Sequence, residues 1–144
     1  MGTMAHANLD FDNVAVSVTD LDRSLEWYER VLGFKVLYRT FSTAVNAELV
    51  VIHRDGARIE LLLQDGARRN PDADIVPGPH LKTSGVKAIV FRTDDLEGIT
   101  EYLESCNVTF DWKVRTLSAD GLRSTMIRDP DGVLINVLSY PPSA

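Results

Sequence analysis

Polar and apolar residues follow one order in the first half of this chain and repeat it in the second. Residues 13–18, Asn-Val-Ala-Val-Ser-Val, alternate as in a half-buried strand. Helical spacing then predicts an amphipathic helix with an apolar stripe at Leu21, Leu25, Tyr28 and Leu32. Thr19 or Asp20 can cap this helix at its start, and Gly33 suits the left-handed position after its last turn.

Three strands are expected after this helix. The first covers residues 34–38, and residues 39–44 read as a connection. The other two, residues 45–53 and 57–64, flank an Asp-Gly pair. Asp-Gly between apolar runs is a strong hairpin signal, because glycine tolerates positive φ.

The register of this hairpin places a set of polar side chains together. With a two-residue loop at Asp55-Gly56, Val51 pairs with Glu60 and His53 pairs with Arg58. Cross-strand partners share a face of the sheet, so these four side chains should project together.

The second half of the chain repeats these elements about 75 residues later. Asp94 or Asp95 can cap its helix, and Asn107 can end it. A second Asp-Gly pair, at residues 131–132, precedes the last strand and places Asn136 at the position of Glu60. The expected strands and the apolar stripe of the helix are residues 88–93, then Leu96, Ile99, Leu103 and Cys106, then residues 108–114, 122–127 and 133–138.

A segment rich in glycine, proline, aspartate, asparagine and arginine separates the halves. This segment, residues 65–84, has no periodic apolar pattern and is predicted to be a linker. We therefore predict an α+β fold of two tandem βαβββ units, residues 9–64 and 85–140, whose curved mixed sheets enclose a cleft in one compact domain.

The amino-acid composition of the chain limits the kinds of partner that we expect it to bind. A net charge of −6 over 144 residues argues against nucleic acid or an anionic membrane surface as the main partner. The single cysteine, Cys106, leaves no intrachain disulfide framework and no cysteine-rich metal site. No apolar run is long enough to cross a membrane, and the first residues lack the apolar core of a signal peptide. We expect a cytoplasmic protein.

Three motifs resemble those of a known superfamily. The pattern Val-x-Asp-Leu-x-x-Ser-x-x-x-Tyr-x-x-x-Leu-Gly-Phe covers residues 18–34, and residues 91–96 and 128–132 are similar to second-half signatures of the same group. The group is the vicinal oxygen chelate superfamily, which includes glyoxalase I, extradiol dioxygenases and bleomycin resistance proteins. The resemblance implies two units facing each other across a cleft, and a homodimer.

The resemblance also identifies the positions where a metal would be held. Metal-using members place histidine or glutamine near the start of each first strand and a carboxylate on each last strand. Those positions are Asn13, Glu60, Ala88 and Asn136, and Ala88 has no donor atom. Neutral amides are weak ligands for a transition metal, so we expect no metal and no cofactor. His53 could be a displaced ligand, although a lone strand histidine is more typical of a hydrogen-bonding residue; His6 and His80 are not convincing ligands.

The first functional hypothesis is a binding protein similar to the metal-free bleomycin resistance members. It would hold a small organic molecule, such as a drug or natural product, in a mostly apolar cleft. Each aromatic candidate could equally belong to the core or to an interface, and Trp27 to the core or a subunit contact. The predicted ligand-binding residues are Asn13, Tyr38, Phe41, Val51, His53, Arg58, Glu60, Phe110, Trp112 and Asn136.

Two alternatives stay open at this point. A metal-independent isomerase, cyclase or lyase could use Glu60 as its catalytic acid or base, with Asn13, His53 and Asn136 positioning the substrate. Glu60 could instead be the remnant of a metal-binding ancestor. A divalent-metal lyase or epimerase of the glyoxalase I type would require non-standard ligands.

Overall fold

Two sheets of four strands, each associated with a helix, make up the fold. The computed structural model describes residues 8–142, so His6 lies outside the described residues. The first unit contains β1 (Val14–Ser17), α1 (Leu21–Leu32), β2 (Lys35–Ser42), β3 (Ala47–Arg54) and β4 (Ala57–Gln64). A short helix, α2 (Pro77–His80), precedes the second unit, which contains β5 (Ala88–Arg92), α3 (Leu96–Ser105), β6 (Thr109–Thr116), β7 (Arg123–Arg128) and β8 (Leu134–Ser139).

The two sheets have the same strand order. It is β1-β4-β3-β2 in the first and β5-β8-β7-β6 in the second, with the first and last strands of each unit parallel and the other neighbours antiparallel. This repetition confirms the predicted α+β fold of two tandem βαβββ units. The sheets are open, so each has edge strands. No helix within residues 8–142 has the length and apolar character needed to cross a membrane.

One boundary of the predicted elements is wrong. β2 continues through Ser42, which pairs with Ala47, so residues 39–42 are strand and not connection. β2 is an edge strand that is exposed over most of its length. Residues 39–42 therefore lack the apolar pattern of a buried strand, and the sequence predicted a connection there. The predicted linker, residues 65–84, contains the short helix α2.

The helix boundaries follow the expected capping chemistry. The Asp20 side chain accepts a hydrogen bond from the backbone N–H of Arg23, and Gly33 adopts a left-handed conformation after α1, with φ of 74°. Asp95 caps α3 in the same way, and Asn107 has a φ of 58° just past its end. Trp27 is buried in the core together with Leu21, Tyr28 and Leu32 of the predicted stripe, and Leu25 is partly buried against it.

The turn at residues 128–132 joins the two units. The Tyr28 hydroxyl of α1 donates to Asp129 Oδ2 at 2.8 Å, and Asp129 Oδ1 accepts from the backbone N–H groups of Asp131 and Val133. Burial raises the pKa of the Asp129 carboxyl, and burial together with the Asp129 charge raises the pKa of the Tyr28 hydroxyl. Gly132 has a φ of 87°, which explains why glycine follows Asp131.

Asp131 makes a second set of bonds between the units. Its carboxylate accepts hydrogen bonds from the backbone N–H and the hydroxyl of Thr19 and from the Arg23 guanidinium. Of the two predicted caps of α1, Asp20 therefore caps the helix, whereas the Thr19 side chain binds the other unit. The beginning of α1 is thus fixed to the last turn of the second unit.

Tyr28→Phe should lower the free energy of unfolding by about 1–3 kcal/mol, because it leaves a buried carboxylate oxygen without its donor. Tyr102→Phe is the matched control. Its hydroxyl also crosses between the units, donating to the carbonyls of Arg30 and Val31, but the residue is 43% exposed. Urea unfolding of both variants measures the two free energies of unfolding. An equal decrease in the two variants would show that the buried hydrogen bond of Tyr28 stabilises the protein no more than the exposed one of Tyr102.

Candidate functional site

An apolar cavity of about 630 Å³ lies on the face of the second sheet that points away from the core. The register places Asn136 opposite Val90 on one side and Met126 on the other, and pairs Met126 with Trp112. Because paired residues share a face, these four side chains form one surface. We call the space above them the second-sheet cavity; its wall also includes His80, Leu81, Lys87, Ala88, Arg115, Leu117 and Leu134.

One wall of the second-sheet cavity comes from the segment between the units. Residues 77–81, with α2, line it. The Arg128 guanidinium fixes this segment, since it donates to the backbone carbonyls of Ala73 and Ile75. Arg128 is itself buried and paired with Asp111, with Nε 2.7 Å from Oδ2 and Nη2 3.1 Å from Oδ1. A bidentate pair of this kind gives a rigid geometry, so the wall is anchored to β6 and β7.

Trp112 is fixed in the floor of the cavity. Its indole Nε1–H donates to Ser124 Oγ at 2.8 Å, and Ser124 is fully buried. The Arg115 guanidinium carbon lies 4.9 Å from the centroid of the indole ring, a cation–π distance. These two contacts hold the ring in one orientation, and Trp112 is part of the cavity lining.

A strained bulge in β6 makes this arrangement possible. Residues three apart in a regular strand point to opposite faces, but a register shift between Trp112 and Arg115 brings both to one face. The extra residue is accommodated at Val114, which has a φ of 46°, a rare conformation for a β-branched residue. Its N–H donates to Thr125 Oγ1 at 3.0 Å, and Thr125 is bonded to Thr100 of α3.

Asn136 contributes an oxygen with no hydrogen-bond partner. Within residues 8–142, its buried Oδ1 atom has none. Buried polar atoms without a partner are rare and destabilising, and a water molecule or a ligand in the cavity would supply the missing donor. This atom is the most direct chemical indication of a ligand in the described part of the chain.

The other predicted site residues lie mainly on the first sheet. The predicted hairpin register is confirmed, with Val51 opposite Glu60 and His53 opposite Arg58, and Tyr38 pairs with Val51 on the same face. Phe41 pairs with Glu48 and lies on the opposite face, and Phe110 packs against the core. The structure thus brings six of the ten predicted residues together on one sheet, places Asn136 and Trp112 together on the other, and leaves Phe41 and Phe110 apart from both.

Glu60 belongs to a surface network of carboxylates and their donors. Asn13 Nδ2 lies 3.2 Å from Glu60 Oε1 and 2.7 Å from Asp12 Oδ2, and Arg58 donates to Asp12 Oδ1 at 2.8 Å. Asp12 was not among the predicted site residues. Glu60 does not line the second-sheet cavity. It also does not line another cavity, of about 430 Å³, whose walls include residues 14–19 around β1 and residues 86–89 around β5.

The residues at the four metal positions do not fit a divalent ion. Glu60 contributes the only charged donor among them, Asn13 and Asn136 contribute amides, and Ala88 contributes a methyl group. Asn13 already donates its amide hydrogens to two carboxylates. No group of three histidine, cysteine, aspartate or glutamate side chains within residues 8–142 is arranged to hold a metal.

Several residues of the second-sheet cavity were missed by sequence reasoning. Arg115 was missed because a regular strand would place it away from Trp112, and the bulge has no clear sequence signal. His80 and Leu81 lie in a segment predicted to be a linker. Met126 could have been found, since it occupies the position on β7 that a hairpin register would pair with Asn136.

Asn136→Leu should stabilise the protein by about 1 kcal/mol, because it removes the desolvation cost of an unpartnered buried oxygen. Asn13→Leu, which removes a donor with two carboxylate partners, should give no such gain. Thermal unfolding of the two variants without added ligand provides the measurement. A loss of stability in Asn136→Leu comparable to that in Asn13→Leu would show that Asn136 has a structural partner.

Comparison with known proteins agrees with the fold. The family model of the Glyoxalase/Bleomycin resistance protein/Dioxygenase superfamily matches residues 10–137. A search of curated proteins gives no match.

Similar folds occur among solved structures. A glyoxalase family protein from Enterococcus faecalis is 18% identical with a TM-score of 0.75, covering 91% of this chain and 98% of that one. A glyoxylase/bleomycin resistance protein/dioxygenase domain from Frankia is 20% identical with a TM-score of 0.73, covering 96% of each chain. An integron cassette protein from V. cholerae is 29% identical with a TM-score of 0.59, covering 92% of this chain and 95% of that one. The chain therefore belongs to the glyoxalase/bleomycin resistance protein/dioxygenase superfamily.

Proposed function

We propose that this protein binds a small organic molecule in the second-sheet cavity without the help of a metal ion. The observation that carries the proposal is the unpartnered Oδ1 atom of Asn136 on the same face of the second sheet as the fixed indole of Trp112. A ligand with a hydrogen-bond donor would satisfy that oxygen while its apolar body rests on the ring. Sequestration of a drug or natural product is the function that such binding would serve.

The size and lining of the cavity support this function. Pockets for small molecules typically have volumes of about 300–1,000 Å³ and mostly apolar walls with a few placed polar groups. The second-sheet cavity, at about 630 Å³, is lined by the apolar side chains of Val90, Met126, Leu134 and Trp112, with Asn136 as a polar group among them. The anchored segment carrying α2 gives it a preformed wall, which reduces the entropy cost of binding.

The catalytic alternative depends on a residue outside this cavity. Glu60 would be the acid or base of a metal-independent isomerase, cyclase or lyase. Its carboxylate lies on the first sheet and is hydrogen-bonded to Asn13. No second acid–base group of the described residues lies close enough to bond it, so nothing specific favours this alternative over binding. The amide and methyl groups at the other metal positions likewise disfavour metal-dependent chemistry.

The proposal is tested by a thermal-shift screen of planar drug-like molecules and natural products, followed by calorimetry of each stabilising compound. A ligand at one hundred times its Kd stabilises a protein by about 2.7 kcal/mol, enough for a shift of several degrees. Trp112→Ala should weaken binding at least tenfold, because it removes the stacking surface. Glu60→Gln is the matched control and should leave binding unchanged.

Three results would contradict the proposal. They are binding that survives Trp112→Ala but is lost in Glu60→Gln, turnover of a bound compound that Glu60→Gln abolishes, and a stoichiometric divalent ion in protein purified without chelator. The first result would show that the ligand binds on the first sheet. The second would establish the enzyme, and the third would establish the metal-dependent alternative.

We also propose that two copies of this chain associate and that the protein is cytoplasmic. The edge strand β2 supports the dimer, because it exposes Val36, Leu37, Tyr38 and Phe41, each between 44% and 56% accessible. Light scattering should give twice the mass of one chain, and Leu37→Lys should reduce it towards that of a monomer. A monomeric wild-type protein at micromolar concentration would contradict the dimer.

The proposed cytoplasmic location is tested by cell fractionation, in which the protein should be recovered in the soluble cytoplasmic fraction.

A further inference from the structure

We infer that the ligand of the second-sheet cavity is a planar aromatic molecule that carries a carboxylate. This inference rests on the proposed function and specifies the class of ligand. It depends on the charges around the cavity, on the position of Arg115, and on two buried polar atoms that lack partners.

The charged groups of the cavity wall have one sign. The chain has a net charge of −6, yet Lys87 and Arg115 line the cavity and no aspartate or glutamate of residues 8–142 does so. Neither cation forms an ion pair with a carboxylate of those residues. Cations grouped in a partly apolar wall attract an anion more strongly than they would in open water.

Arg115 lies over the Trp112 ring, where its guanidinium can meet an anionic group of a ligand packed next to the indole. The bulge at Val114 turns its guanidinium onto the face of the sheet that carries Trp112, 4.9 Å from the ring centroid. A guanidinium is planar and offers a fork of donors that matches the two oxygens of a carboxylate. A flat ligand packed beside the indole would therefore present its carboxylate to a donor that is already oriented.

Two walls of the cavity each contain a buried polar atom without a partner among residues 8–142. They are His80 Nδ1, on α2, and Asn136 Oδ1, on β8. An imidazole nitrogen that carries a proton can donate to a carboxylate oxygen, whereas the Asn136 oxygen requires a donor. These two atoms fit a ligand with an acidic group near α2 and a hydroxyl or N–H group near β8.

A matched series of probes can test this class of ligand. The series is 6-hydroxy-2-naphthoate, the neutral 6-hydroxy-2-naphthamide and the cationic 6-hydroxy-2-naphthylmethylammonium, which share one ring and one hydroxyl group. None has oxygen donors on neighbouring carbon atoms, as a catechol has, so none can form a five-membered chelate with a metal ion. Each is titrated by calorimetry into the full chain, and competition with the naphthoate shows whether the probes share a site.

The naphthoate should bind at least tenfold more tightly than the amide, and the cation should bind most weakly. The double variant Lys87→Gln/Arg115→Gln should reduce the ratio of naphthoate to amide affinity to about one. Arg123→Gln is the control, since Arg123 is paired with Glu97 on the surface and does not line the cavity. It should leave the ratio unchanged. Thermal unfolding of each variant verifies that it is folded.

Failure of the inferred ligand class can be distinguished from failure of the proposed binding function. If the amide or the cation binds as tightly as the naphthoate, and Trp112→Ala abolishes that binding, the ligand class is wrong and the binding function stands. A preference for naphthoate that persists in the double variant would also overturn the ligand class. If no probe binds in a Trp112-dependent manner at millimolar concentration, the ligand class is wrong, and the thermal-shift screen of other compounds still tests the binding function.

Discussion

The buried hydrogen bond between Tyr28 and Asp129 is the contact on which the arrangement of the two units depends. It joins α1 of the first unit to the turn before β8 of the second, and it lies in a core shared by both units. The same turn places Asp131 against Thr19 and Arg23, and Arg128 against the segment that carries α2. One five-residue turn therefore contributes both to the contact between the units and to the anchoring of the cavity wall.

The two units share a topology but present different surfaces. The open face of the first sheet carries Glu60 within a network of charged and amide groups that largely satisfy one another. The corresponding face of the second sheet carries Asn136, Trp112 and apolar side chains around a cavity whose polar atoms are partly unsatisfied. Duplication thus supplied two equivalent platforms, and their side chains suit different roles. Unsatisfied groups beside a cavity favour ligand binding, whereas satisfied groups favour a structural role.

The fold was largely predictable because its signals are local. The capping aspartates, Gly33, the Asp-Gly hairpin and the alternating strands each act over a few residues, and their repetition indicated two similar units. β2 was predicted too short because an edge strand lacks the apolar pattern of a buried one. The same local reasoning supplied the register of Val51 with Glu60, which the structure confirms.

The cavity was less predictable because it depends on features that the residue pattern does not determine. The bulge at Val114 reverses the face on which Arg115 lies. Counting residues along a regular strand would therefore place Arg115 on the face opposite to Trp112. His80 lies in a segment that has no periodic pattern of its own and that Arg128 anchors at Ala73 and Ile75. Phe41 and Phe110 were candidate aromatic walls on composition, yet their pairing partners place them on other faces.

A crystal structure of the protein with 6-hydroxy-2-naphthoate would show where the molecule binds. We expect electron density for the ring next to Trp112, with the hydroxyl at Asn136 Oδ1 and the carboxylate near Arg115 and His80. Density for the ligand or a divalent ion next to Glu60 and Asn13, with the second-sheet cavity filled only by water, would show that the second sheet is not the binding site.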